Sequence, residues 1–408
     1  MSSRRALVVR YQRFEDAHVR REALALRDAG YEVEVICTAT AQWRGTREWN
    51  GVTVRNVSVA KTRGALAQYA IEYTWWFVVC TWLMTLACLR GRRHHVIQIT
   101  TLPDQQVFAA LVPKLFGSRV VVFFKEPTAE LVEAKLEGRA ATVLAAWSRL
   151  VARAAARFAD QAIAVTEAHR ATYVALGVAP DRVGVVGNCP MEDHVAVAAP
   201  APIDSDRFVV MCHGTVERRM GQLHLVEAFD LARRQRDDVL LVLCGAGSDS
   251  DAVRARIEQL DLGEHVDDRG FVSADEIAAL MARADLGVVP MVPSPYSRLV
   301  HTTKMFEFMY RGVPVVAGDL DATVADFPDA CHYYAAGDPD ALAQAVVELA
   351  ADPSRRDELV AAGAAALVSA SWAAQRDHYA SLVTGRDIPG DGLAASTALA
   401  ATHDEVSR

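Results

Sequence analysis

The sequence contains no cysteine pair at CxxC spacing and no GxGxxG after its first β-rich run. These absences argue in turn against a thiol redox or zinc motif and a nicotinamide-dinucleotide fingerprint. The seven cysteines (37, 80, 88, 189, 212, 244 and 331) are odd in number, scattered and mostly set in apolar runs, which reads as a reduced core rather than a disulfide framework. Glycine and proline are sparse, at 24 and 15 of 408 residues, beside 51% hydrophobic and 23% charged residues, so the chain falls in the globular class and not the fibrous or disordered ones. The opening MSSRRALVVRYQR lacks both the apolar stretch and the small-residue cleavage site of a secretory leader, and the expectation is a cytoplasmic protein.

A single core usually takes roughly 100 to 200 residues, so two large domains are expected from this length. The net charge of −8 conceals an asymmetry: residues 1–200 carry 25 Lys and Arg against 18 Asp and Glu, and the remainder 18 against 33. A modestly basic half beside an acidic one suits either an anionic surface or substrate for the first half, or simply an unevenly charged solvated exterior. It speaks against a dedicated nucleic-acid binder.

Short β-rich runs alternate with amphipathic stretches: ALVVR (6–10), HVRREALALRDAG (18–30), EVEVIC (32–37), VTVRNV (52–57), VIQIT (96–100), RVVVFF (119–124) and QAIAV (161–165). Strand, helix, strand implies a parallel sheet. VAVAAPAPIDSD (195–206) interrupts the pattern, which restarts with FVVMCH (208–213), GQLHLVEAFDLARRQ (221–235), VLLVLCG (239–245), LGVVP (286–290) and VPVVAG (313–318). The expected organisation is α/β, with one Rossmann-like domain over 1–196 and a second over 207–370. A helix over 371–385 is expected to return toward the first domain, ahead of a disordered tail over 386–408.

Residues 65–93, ALAQYAIEYTWWFVVCTWLMTLACLRGRR, are apolar on every side, with an uncharged stretch of 17 residues from Tyr73 to Leu89. A spanning helix needs about 20 such residues. Three readings stay open: a helix buried on the sheet, one lying in a membrane interface with Arg90, Arg92 and Arg93 on headgroups, and a span.

Three stretches carry candidate chemistry. HGTVERRMGQ (213–222) stands where a strand gives way to a helix; Gly214 and Gly221 permit close approach of an anion to backbone N–H groups, and Arg219 offers a bidentate guanidinium. CGAGSD (244–249), with Gly245, is a second glycine turn, and by itself no more than a sharp strand-to-helix connection. HTTKMFEFMYRGVPVVAG (301–318) places Lys304 and Glu307 one turn apart on a helix that opens after Thr302 and Thr303. The cation suits a phosphate and the carboxylate suits ribose hydroxyls, while a mutual salt bridge is the alternative.

The order and spacing of these stretches resemble the retaining glycosyltransferases of family 4, as do DAHVRREALALRDAGYEVEVI (16–36) and RFADQAIAVTEAHRATYVALGVAPDRVGVVGN (157–188). The resemblance implies a GT-B fold, two Rossmann-like doubly wound domains facing across a cleft, the first (1–196) binding the acceptor and the second (207–370) the nucleotide sugar, with a UDP- or GDP-sugar as donor substrate and no cofactor or metal. It assigns Gly214, Thr215, Arg219, Gly221, Gly245, Phe271, Val272, Thr303, Lys304 and Glu307 to the donor. Asp16 and His18 fall to the acceptor. Arg219 falls to catalysis as well. Lys125 and Glu126 are assigned to catalysis by their own position: they read as an ion pair at the end of a strand, on the sheet edge where ligands bind in this architecture, and a loop pair reaching solvent is the alternative. Leu299 stands where the family usually has a glutamate eight residues before the one matching Glu307, Met220 where lysine is frequent, and Lys125 where histidine is common.

The implied chemistry is transfer with retention, the acceptor hydroxyl attacking on the face the diphosphate leaves, with Arg219, Lys304 and helix N-termini stabilising the leaving group. A catalytically silent nucleotide-sugar-binding partner and a sugar-nucleotide epimerase of the same fold fit the same residues. A nicotinamide dehydrogenase is the least supported.

Overall fold

The computed structural model describes residues 4–40, 42–59, 66–136, 138–192 and 206–388. The interruption at 195–206, apart from Asp206, and the expected tail beyond residue 388 lie outside the described residues. The chain divides into two units: the first takes in residues up to Met191 and the last helix from Gln375, and the second runs from Glu192 to Ala374.

The first unit contains β1 (Arg4–Arg13), α1 (Ala17–Asp28), β2 (Tyr31–Thr38), β3 (Gly45–Trp49), β4 (Val52–Val57), α2 (Leu66–Leu89), β5 (Val96–Thr100) and a 3-10 segment, Asp104–Ala110. It continues through α3 (Leu111–Leu115), β6 (Arg119–Phe123), α4 (Thr128–Lys135), α5 (Arg139–Phe158), β7 (Gln161–Ala164), α6 (Glu167–Ala175) and β8 (Val183–Val185). Its eight strands run β3-β4-β2-β1-β5-β6-β7-β8. All neighbours pair in parallel except β3, an antiparallel edge strand that departs from the all-parallel expectation. Asn50 and Gly51, both at positive φ, close its hairpin with β4, the pairing such a turn favours.

The second unit contains β9 (Phe208–His213), α7 (Gln222–Gln235), β10 (Val239–Cys244), α8 (Ser250–Gln259), β11 (Val266–Gly270), α9 (Ala274–Met281), β12 (Leu286–Val289) and α10 (Thr303–Tyr310). There follow β13 (Val315–Gly318), α11 (Asp321–Asp326), β14 (His332–Tyr334), α12 (Pro339–Ala351), α13 (Pro353–Ala370) and α14 (Trp372–Thr384), whose later turns belong with the first unit. The six strands are parallel in the order β11-β10-β9-β12-β13-β14, the doubly wound arrangement in which strand order reverses between the first and fourth strands. β10, VLLVLC, is buried at every position, as a strand covered by helices on both faces must be.

α2 takes up most of residues 65–93 and packs one side on the sheet. Trp76, Cys80 and Met84 are buried in one cluster with Ile97 and Ile99 of β5, so the helix is part of the first unit's core. Drawing it into a bilayer as a span would strip that core. Its opposite side leaves Ile71, Trp75, Val78 and Trp82 exposed. Gln68–Leu89 is the one described helix long and apolar enough to cross a membrane by length and composition, and the fold uses it as a sheet-covering helix. All seven cysteines are buried and unbridged.

Candidate active site

In the second unit, ligand chemistry is expected where strand order reverses, beyond the carboxyl ends of β9 and β12. Three glycines interlock the loops there. Gly214, at φ +105°, follows β9, and a Cβ on it would lie 2.0 Å from Lys304 Cε and 2.7 Å from its Nζ. The Lys304 side chain therefore rests directly on the Gly214 backbone. A Cβ on Gly245, at φ +146°, would fall 1.8 Å from the Gly214 carbonyl oxygen, and one on Gly221 1.7 Å from that of Pro290. Only glycine permits these approaches. The Gly214 N–H donates to Cys244 O at 2.8 Å, and the Thr215 carbonyl accepts from Gln222 Nε2 at 2.9 Å, which ties the loop to the start of α7.

Lys304 projects from the first turn of α10, where the Thr302 hydroxyl caps the helix by accepting from Lys304 N at 3.1 Å. Burial pushes the Lys304 ammonium below the ordinary lysine range and Arg219 works in the same direction, while Glu307 and Cys212 oppose it. Burial raises the Glu307 carboxyl against the pull of Lys304 and of the Thr303 hydroxyl bonded to it. Glu307 Oε2 stands 3.5 Å from His213 Nε2. Burial, with help from Lys304, pushes His213 down to about 3, so this is a neutral imidazole beside a carboxylate. Arg219 is held at the neighbouring turn by Glu217, Nε to Oε2 at 2.9 Å, and its guanidinium lies 4.7 Å from the centre of the Tyr296 ring. Phe271, 84% exposed, and Val272 follow β11, two strands along the same edge.

The first unit places a charged network at the corresponding reversal, between β1 and β5. Glu22 of α1 is fully buried, with Oε1 3.1 Å from Arg10 Nη1 and 3.2 Å from Lys125 Nζ. Its Oε2 accepts from Gln98 Nε2 at 2.7 Å, and the Tyr379 hydroxyl of α14 donates to Gln98 Oε1. Burial works against the Glu22 carboxylate, but Lys125, Arg10 and Arg21 outweigh it and hold it below the usual range. Cations outnumber carboxylates here. An arginine keeps its proton in such company and a lysine yields: burial, with Arg21 and Arg10 adding to it, pushes Lys125 down to about 7 despite Glu22. Its Nζ also sits 3.8 Å over the Phe123 ring.

This corrects the expected Lys125–Glu126 pair. The ion pair of Lys125 is with Glu22: Lys125 points inward just beyond β6, and Glu126, at the bend that follows, is half-buried. Asp16 serves the fold directly: it is the N-cap of α1 and accepts from His18 N at 2.8 Å. Arg10, Glu22, Gln98 and Tyr379 were not anticipated. The available signal was a polar residue in each of two otherwise apolar strands, Arg10 ending ALVVR and Gln98 inside VIQIT.

The sequence profile described as a glycosyl transferase 4-like domain matches residues 16–189, and that of glycosyl transferases group 1 matches 207–352. The chain belongs to the family 4 glycosyltransferases. Among curated relatives of this glycosyltransferase, it is 35% identical over 158 residues to the phosphatidyl-myo-inositol mannosyltransferase of Mycobacterium leprae, covering 38% of this chain and 40% of that one. It is 30% identical over 192 residues, 44% of this chain and 49% of the relative, to a GDP-mannose-dependent alpha-(1-6)-phosphatidylinositol monomannoside mannosyltransferase of Mycolicibacterium smegmatis. The matched stretches thus span less than half of either relative. Among solved structures, the UDP-forming alpha,alpha-trehalose-phosphate synthase of Burkholderia vietnamiensis superposes with a TM-score of 0.71 at 12% identity, over 93% of this chain and all of that one. The fold is GT-B. Within it, Leu299 occupies a turn, its N–H donating to Tyr296 O at 3.0 Å, and Met220 is buried, so neither offers a polar group at the places where the family often has one.

Proposed function

We propose that this glycosyltransferase moves a sugar from a nucleoside-diphosphate donor, UDP- or GDP-linked, to an acceptor bound by the first unit. Transfer proceeds with retention of configuration and without a metal ion, in glycan, glycolipid or glycosylated-metabolite biosynthesis. The observation that carries this reading is Lys304, laid on Gly214 at the N-terminus of α10, with Arg219 at the adjoining turn. Two cations and a helix N-terminus at a strand-order reversal suit a diphosphate. The Glu307 carboxylate, one turn deeper, suits the ribose hydroxyls, and Phe271 and Val272 meet the base. Gly214, Thr215, Gly221, Gly245 and Thr303 supply close backbone and hydroxyl contacts.

Charge developing on the departing diphosphate is the dominant demand of front-face transfer, and Lys304, Arg219 and the α10 N-terminus answer it with no enzyme nucleophile. Lys125 is the first unit's contribution to turnover, with Glu126 beside it, and Asp16 and His18 at the start of α1 contribute to acceptor binding. The mycobacterial relatives' names favour a mannosyl donor and a lipid acceptor. A cytoplasmic location, with residues 65–93 in peripheral contact with the inner face of the membrane, belongs to the same reading.

Calorimetric titration with UDP and GDP tests the donor assignment. Arg219→Ala is expected to weaken the preferred nucleotide by at least about tenfold, since a charge-assisted contact contributes roughly 1.5 to 3 kcal/mol. Glu307→Gln should weaken the nucleoside diphosphate whether or not a sugar is attached. Wild-type affinity in both variants would remove these residues from the site. Transfer is also expected to survive EDTA; complete loss, with rescue by manganese, would overturn the metal-free mechanism.

A further inference from the structure

Among the described residues, every exposed large apolar side chain except Leu223, Phe271 and Val368 belongs to α2, α3 or α5, or directly follows α3. Two of these helices show the same geometry. α2 exposes Ile71, Trp75, Val78 and Trp82, and α5 exposes Val143, Trp147 and Leu150, each side chain between 52 and 70% accessible. Spacings of four, three and four residues draw one stripe along a helix. Both helices cover the same sheet face, since Trp76, Cys80 and Met84 of one share a core cluster with Ala152, Ala155 and Ala156 of the other and with Val107 and Ala110 of the 3-10 segment. That segment runs straight into α3, which adds Leu111 and Leu115, followed by exposed Phe116.

Charge identifies what this plate meets. α5 carries Arg139, Arg149, Arg153 and Arg157 and no acidic residue. Arg139 continues the Val143–Trp147 stripe at its N-terminal end, whereas Arg149 is engaged by Glu130 and Glu133 of α4. The one acid of α2, Glu72, is buried and accepts from the Tyr11 hydroxyl at 2.8 Å. Beyond Leu89 stand Arg90, Arg92 and Arg93, all exposed, with Arg93 Nη1 donating to Phe116 O and so holding the arginines beside the apolar end of α3. A second copy of this chain would bring arginine against arginine. Lipid phosphate would not.

We propose that α2, α3 and α5 together form a docking plate for an anionic bilayer leaflet, with Trp75, Trp82 and Trp147 seated in the interface and the arginines on headgroups. This deepens the reading of peripheral contact through residues 65–93: it adds α3 and α5 to the surface and names the lipid charge. The helices lie along the leaflet rather than crossing it.

The test is sedimentation of the full-length protein with vesicles of phosphatidylcholine, with and without about 30% phosphatidylglycerol. The plate predicts binding to the anionic vesicles, much weaker binding to the neutral ones, and loss of binding as salt rises. The triple variant Val143→Ser, Trp147→Ser and Leu150→Ser alters exposed positions only, and should keep the wild-type melting temperature while binding at least about tenfold more weakly. Wild-type tryptophan fluorescence should be quenched by brominated phosphatidylglycerol, a readout that needs no variant. If the triple variant binds like wild type while Trp82→Ser does not, the plate is wrong and the narrower contact through residues 65–93 stands. If the wild-type protein ignores anionic vesicles, both fall. A wild-type dimer that the triple variant turns into a monomer would make the face a protein interface and overturn the proposal.

Discussion

Lys125→Met is expected to lower turnover by about 100-fold, roughly 2.7 kcal/mol of barrier, while nucleotide affinity stays within about twofold of wild type. The argument rests on where the ammonium sits. Lys125 is almost wholly buried at the strand-order reversal of the first unit, with Nζ 3.2 Å from Glu22 and Arg10 on the same carboxylate. Burying ionic groups in this way is rarely worthwhile for stability alone, and methionine fills a similar volume without the charge. A turnover within about twofold of wild type would leave the residue no catalytic role.

The pH dependence distinguishes the working form. Burial holds Lys125 at about 7, so if the ammonium acts, kcat/KM should fall as pH rises through about 7. A rise through the same range would make the neutral amine the active species and overturn the cationic role. Glu22→Gln removes the carboxylate that favours the ammonium and should move the falling limb to lower pH, a shift that a purely structural role of Glu22 would not produce. Stability follows the opposite trend. With its pKa lowered from 10.5 to about 7, Lys125 binds fewer protons in the folded chain than in the unfolded one between those values, so its contribution to stability improves as pH rises across that window and is least favourable below pH 7.

Gly245→Ala should be the most damaging single-methyl change in the second unit. The added Cβ would lie 1.8 Å from the Gly214 carbonyl oxygen, backbone that cannot swing away, and φ +146° is itself open almost only to glycine. We expect a loss of about 3 kcal/mol or more in stability, seen as a drop of several degrees in Tm. Nucleotide binding by the protein that remains folded should weaken at least about tenfold, because displacing Gly214 displaces the Lys304 side chain resting on it. Gly263→Ala is the control: nothing lies within 4 Å of the Cβ it would add, and both measurements should match wild type. A Gly245→Ala protein with wild-type melting and nucleotide affinity would show that the two loops do not depend on each other.

The sequence by itself determined the α/β class, the two-unit division, the family, the turn positions of Gly214, Arg219 and Gly245, and the place of Lys304 at a helix start. These are local matters: strand and helix periodicities, glycine at turns, and a cation at a helix start are all written within a few neighbouring residues. The Asn50–Gly51 turn is equally local, but no hairpin was expected there, only a parallel sheet. Only the tertiary structure decided the rest. Glu22 and Lys125 are 103 positions apart in the chain, and no local pattern says that a carboxylate on α1 meets an ammonium beyond β6; sheet order alone brings them to one place. Residues 65–93 are apolar all round, so periodicity could not distinguish a buried side from an exposed one. What separates Trp75 from Trp76 is which of them faces β5, and that follows from packing against strands remote in sequence.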